Sequence, residues 1–138
     1  AVTAKGKYES RMTCYADFQL RICDLAACLA RTHLSIAAIR FNLHLTDPIG
    51  RYLPEDAPWR GVAGDYVVTL GPKSSAIGGS DASLPELRAS GGAFSRLWFG
   101  VRPATGLAVT DDLQGPAELL AALDDSLRLP EPCPDWMF

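Results

Sequence analysis

His33 and His44 are the chain's two imidazoles, and Cys14, Cys23, Cys28 and Cys133 its four thiols. A zinc site would need such residues at ligand spacing. Here no C-x-x-C pair occurs, and no histidine stands at that spacing from a cysteine. Cys23 and Cys28 are five apart, about 140° around a helix, so they would not share a face. Reduced, structural thiols are expected, with a disulfide as the alternative, and this fits a cytoplasmic setting. Ser90 and Ser95 lack the G-x-S-x-G context of a hydrolase nucleophile. The pairs Gly78-Gly79 and Gly91-Gly92 lack the Lys-Ser/Thr ending of a phosphate loop. Arg96 and Arg102 flank Trp98 and would suit an anionic head group, although surface arginines more often form ion pairs. His44 alternates with Arg40 and Asn42, which reads as a surface or hydrogen-bonded histidine rather than a metal ligand.

The elements that would carry these groups follow from the apolar spacing. Asp24 is an N-cap for a short helix through Leu25 and Leu29, which lie four apart on one face and end near Thr32. Residues 38–45 form the clearest strand. Ile39, Phe41, Leu43 and Leu45 point one way, and Arg40, Asn42 and His44 point the other. Asp47-Pro48 ends it, and Pro54, Pro58 and Gly61 punctuate the loop beyond. Further strands are expected over 66–70, 75–79 and 107–110, and a short helix over 94–99. Residues 82–87 are ambiguous because Pro85 interrupts them. Gly115-Pro116 opens a last helix, with Pro116 at the first helical position and a stripe of Leu119, Leu120, Leu123 and Leu127.

The totals bound what this assembly can be. A chain of 138 residues is the size of one domain and needs neither metal nor disulfide to hold a core. Its net charge of −3 argues against nucleic acid and anionic membranes as partners. No apolar run approaches the roughly 18 residues of a membrane span, so no integral membrane segment is expected. Residues 1–10 lack the apolar centre of a secretory signal. Residue 1 is Ala rather than Met, which leaves room for a trimmed chain with a missing upstream region.

The order of these features resembles the sterol-carrier protein family. The segment Phe94-Ser95-Arg96-Leu97-Trp98-Phe99-Gly100 stands where that family has a short helix ending in Gly. Gly106-Leu107-Ala108-Val109-Thr110-Asp111-Asp112 stands where it has a Gly-apolar strand, with Asp111-Asp112 in place of the usual Gly-Asp. The first half is similar to one branch, the carboxy-terminal domain of the enhanced intracellular survival acetyltransferases. Arg21-Ile22-Cys23-Asp24-Leu25-Ala26-Ala27-Cys28-Leu29 and Leu43-His44-Leu45-Thr46-Asp47-Pro48 carry that likeness, as does the aromatic end Trp136-Met137-Phe138. The resemblance implies an α/β (α+β) fold: a mixed sheet of about five strands covered on one face by helices. Residues 1–16 would form an N-terminal arm, and residues 17–138 the sterol-carrier-like domain.

In the lipid-carrying members of the family an apolar tunnel runs between sheet and helices. Phe41, Leu43, Trp98, Phe99, Leu119 and Leu123 would line it here, unless they simply fill a core. The resemblance also implies that the Phe138 carboxylate would serve as a proton acceptor, but only beside an acetyl-transfer domain; the alternative is a frayed tail. The function expected from sequence is therefore a non-catalytic domain binding a lipid or other apolar small molecule. The alternative is an accessory or scaffold domain, related to the C-terminal domain of an acetyltransferase and holding a protein partner. No enzymatic activity of its own and no cofactor are expected. A connected cavity beneath Trp98 would favour the carrier, and a solid core the scaffold.

Overall fold

The computed structural model describes residues 19–128 and residue 130. The expected arm over 1–16 and the tail through Phe138, with Cys14 and Cys133, lie outside the described residues. In chain order the elements are α1 (Leu25–Ala30), β1 (Ile39–Thr46), a 3-10 turn (Pro48–Arg51), β2 (Gly64–Leu70), β3 (Ser75–Gly78), β4 (Glu86–Ser90), α2 (Gly91–Trp98), α3 (Ala104–Thr110), β5 (Leu113–Gln114) and α4 (Ala117–Ser126).

The five strands form one mixed sheet in the order β3-β2-β1-β4-β5. β1 and β4 run parallel, and the other neighbours run antiparallel. The alternation in β1 sets the two faces. Phe41 and Leu43 point into the core and meet Val68 and Tyr66 of β2 and Leu87 of β4 in register. Leu29, Phe94, Leu97, Leu107, Leu119, Leu120 and Leu123 of the four helices share that core, so the helices cover a single face. The opposite face carries Arg40, His44, Thr46, Asp65, Glu86, Arg88 and Gln114. The expected mixed α/β sheet with one covered face is what the structure has.

Local chemistry starts each helix where it does. The Asp24 carboxylate accepts from the Ala27 N–H at 2.9 Å, and the Ser90 hydroxyl accepts from the Ala93 N–H at 3.1 Å. α3 follows Pro103, which has no side chain to cap it. Asp124 of α4 takes over that task, accepting from the Thr105 hydroxyl at 2.5 Å and the Thr105 N–H at 3.3 Å. Asp124→Ala is accordingly expected to lower stability by about 1 kcal/mol, read as a shifted urea midpoint at unchanged slope.

Two local expectations need correction, and one ambiguity is resolved. Residues 107–110 are the end of α3 rather than a strand, because Ala104 and Leu107 are buried at helical spacing while Val109 is 85% exposed. The strand in this region is β5, three residues further on. Residues 86–90 resolve as β4, with Pro85 just before it. Pro116 is the N-cap of α4 rather than its first helical residue.

The connection from β1 to β2 contains no α-helix, and polar bonds hold it. Asp47, whose side chain is only 1% exposed, accepts from the N–H groups of Ile49 at 3.1 Å and Val62 at 2.9 Å, and pairs with Arg21. The Arg21 guanidinium lies 5.3 Å from the Trp59 ring centroid, and the Trp59 indole donates to the Cys23 carbonyl at 2.8 Å. Gly61 at φ 96° brings the chain so close to Asp47 that a Cβ would stand 2.4 Å from its Oδ2. The two stretches Arg21–Asp24 and Asp47-Pro48, separated by more than twenty residues, thus meet in one structural latch.

Candidate functional site

The uncovered face holds the most concentrated polar chemistry. Strand register aligns Asp65 of β2 with His44 of β1, His44 with Arg88 of β4, and Arg88 with Gln114 of β5. Four adjacent strands therefore contribute one row of side chains. His44 Nδ1 lies 2.6 Å from Asp65 Oδ1. An ionised carboxylate only accepts, so Nδ1 carries the proton, and in the neutral ring Nε2 is then an acceptor. Arg88 Nε donates to Glu86 Oε1, which fixes the root of the guanidinium and leaves its outer nitrogens to reach elsewhere.

Beside this row lies a shallow depression of about 210 Å³, lined by His44, Thr46, Arg88, Ala89, Asp112 and Gln114. It sits on the carboxyl halves of the parallel strands β1 and β4, whose last paired residues are Thr46 and Ser90. The Ser90 N–H donates to the Asp112 carbonyl at 2.9 Å, tying the end of β4 to the residue just before β5. Among the depression's lining residues Arg88, Thr46 and Gln114 carry donors, Asp112 a carboxylate and His44 an imidazole ring. Among the described residues no group of three or more His, Cys, Asp or Glu is gathered to hold a metal ion.

The residues proposed from sequence to line an apolar tunnel lie elsewhere. Phe41, Leu43, Leu119 and Leu123 are buried in the core, and Trp98 and Phe99 pack half-buried against it. None of the six lines the depression. Arg96 pairs with Asp111 at 2.7 Å, and Arg102 donates to the Thr110 hydroxyl at 3.2 Å. Ser95 is buried, donating to the Gly91 carbonyl at 2.7 Å and accepting from the Ile22 N–H. His33 is exposed beside the Pro72 carbonyl at 2.9 Å. Burial pushes the Cys28 thiol up, with Asp24 adding to the effect, so its thiolate is disfavoured. Of the sequence candidates only His44 belongs to the depression. Arg88, Thr46, Gln114 and Asp112 were missed. Alternation along Glu86–Ser90 would have turned Arg88 outward, but no short-range signal sets which strands lie side by side.

No protein-family model matches the chain, and no curated protein matches it in sequence. Solved structures do share its fold. A probable N-acyltransferase of Enterococcus faecalis V583, described as a conserved protein of unknown function, matches with a TM-score of 0.58 at 23% identity, over 80% of this chain and 25% of that one. A GCN5-related N-acetyltransferase from Kribbella flavida matches with a TM-score of 0.61 at 21% identity, over 81% of this chain and 26% of that one. Another from Anabaena variabilis ATCC 29413 gives 0.62 at 15% identity with the same coverages. The chain spans about a quarter of the length of these structures.

These matches correct the functional expectations. The reading of the chain as no enzyme is overturned, because the proteins that share its fold are N-acetyltransferases and a probable N-acyltransferase. The sterol-carrier and lipid-binding reading falls with it, since the fold aligns with acyl-transferring enzymes. The acetyltransferase-related alternative is the one favoured. No helix among the described residues is long and apolar enough to cross a membrane.

Proposed function

We propose that this chain is one domain of a longer GCN5-related N-acyltransferase. The observation that carries the reading is the asymmetry of coverage: the matches take in about four fifths of this chain but only about a quarter of each enzyme. A domain that matches so fully, and so small a share of its counterparts, fits as a module within a larger catalytic protein. The likeness of Arg21–Leu29 and Leu43–Pro48 to the carboxy-terminal domain of acetyltransferases supports the same placement. Acyl transfer to nitrogen would then belong to the whole polypeptide, with this domain contributing framework and one polar face.

The test is to express the complete natural reading frame that contains these 138 residues. The expected product is a longer polypeptide that releases free coenzyme A thiol from acetyl-coenzyme A when a primary amine is supplied. A natural product that ends with this domain alone, or a longer one without amine-dependent thiol release, would sink the reading.

A further inference from the structure

The depression on the uncovered face is lined mostly by polar residues. Three neighbouring strands converge on it, and a fourth orients one of its walls: Asp65 holds His44 Nδ1 at 2.6 Å. It lies on the open face, over the carboxyl halves of the parallel pair β1 and β4. Pockets for drug-sized ligands measure about 300–1,000 Å³, so a space of about 210 Å³ suits a smaller guest.

The signs of the walls narrow the guest further. Arg88, whose Nε is held by Glu86, offers the outer nitrogens of its guanidinium, and Gln114 and Thr46 offer neutral donors. Asp112 offers a carboxylate, and His44 a ring acceptor. A small dianion would meet the Asp112 carboxylate, and a small diamine would meet the Arg88 guanidinium. Like charges so placed repel. A molecule carrying one carboxylate and one ammonium a few bonds apart satisfies both.

We propose that this depression binds a small zwitterion of the amino-acid class. Its carboxylate is received by Arg88 and Gln114, and its ammonium by Asp112 and the His44 acceptor nitrogen. Asp65 is a positioning residue, since it acts by fixing the His44 ring. This site goes beyond the acyltransferase reading and stands without it, because binding is measured on the domain's own residues and without coenzyme A.

The experiment is amide and side-chain NMR of the full 138-residue chain, titrated separately with glycine, succinate and putrescine. Glycine is expected to shift the signals of residues 44, 46, 88, 112 and 114 in a saturable way, with succinate and putrescine leaving them unmoved. Arg88→Gln and Asp112→Asn should each weaken glycine binding by about tenfold, on the order of one charge-assisted contact. Both side chains are at the surface, and unchanged thermal midpoints would show that the fold is intact. Equal shifts with succinate or putrescine would overturn the zwitterion assignment. An absence of localised shifts with all three probes would overturn the site.

Discussion

Asp47→Ala should lower the stability of the domain by about 3 kcal/mol, the largest loss expected from a residue outside the apolar core. The carboxylate is almost wholly buried, yet it is satisfied by Arg21 and by the N–H groups of Ile49 and Val62. Truncation leaves two backbone donors without that acceptor and releases the guanidinium from its place against Trp59. A pH dependence follows. Burial alone would raise the Asp47 carboxyl, but the hydrogen bonds from Arg21, Val62 and Ile49 outweigh it and hold the group below the usual carboxylate range. An unfolded Asp titrates near about 3.9. Its contribution is therefore full above that pH and is lost as the pH falls through the lower folded value. Urea midpoints from pH 7 downward should show a steep acid limb for the native chain and a shallower one for Asp47→Asn. Parallel limbs in the two proteins would remove Asp47 as the cause.

The latch around Asp47 also marks where sequence reading worked and where it stopped. Asp24 as an N-cap was legible because the bond it makes spans three residues, and β1 because its alternation is complete over eight. Asp47-Pro48 was legible as a strand end, but its bond to Arg21 crosses 26 positions and no local pattern announces it. Residues 107–110 misled for a physical reason. Leu107 and Val109 alternate like a strand, and Val109 and Thr110 are β-branched. Pro103 nevertheless has φ −65° just before the segment, and burial follows the spacing Ala104 to Leu107. Tertiary packing decided between the two periods. The depression depended on long-range pairing in the same way. His44 was visible as a polar-face residue, but Arg88 and Gln114 become its neighbours only when β4 pairs with β1 and β5 pairs with β4.

Asn42 is the one polar side chain on the uncovered face of β1 that is itself buried, and it has a task the ladder does not explain. Its amide donates to the carbonyls of Asp81 at 2.7 Å and Leu84 at 3.2 Å, while its oxygen accepts from the Asp81 N–H at 2.8 Å. Its own backbone N–H donates to the Pro85 carbonyl at 2.8 Å. These bonds fasten the loop that carries the chain from the edge strand β3 back across to β4. Asp81 stiffens the same loop from within. The Ser83 hydroxyl and N–H donate to its carboxylate, which holds that carboxyl below its ordinary range. Leu at position 42 would keep the volume and lose all three side-chain bonds. The expected loss is about 2 kcal/mol, since the freed loop groups regain some solvation, or a fall in melting temperature of about 10 °C. Amide exchange tells this apart from a general loosening. Exchange at Asp81 should quicken well beyond the global change in Asn42→Leu, while the β1–β2 amides follow global stability alone. A uniform acceleration would mean that Asn42 serves the sheet rather than the crossover. The crossover matters because it delivers Arg88 to the side of His44, so the same variant should also blunt any ligand response at the depression.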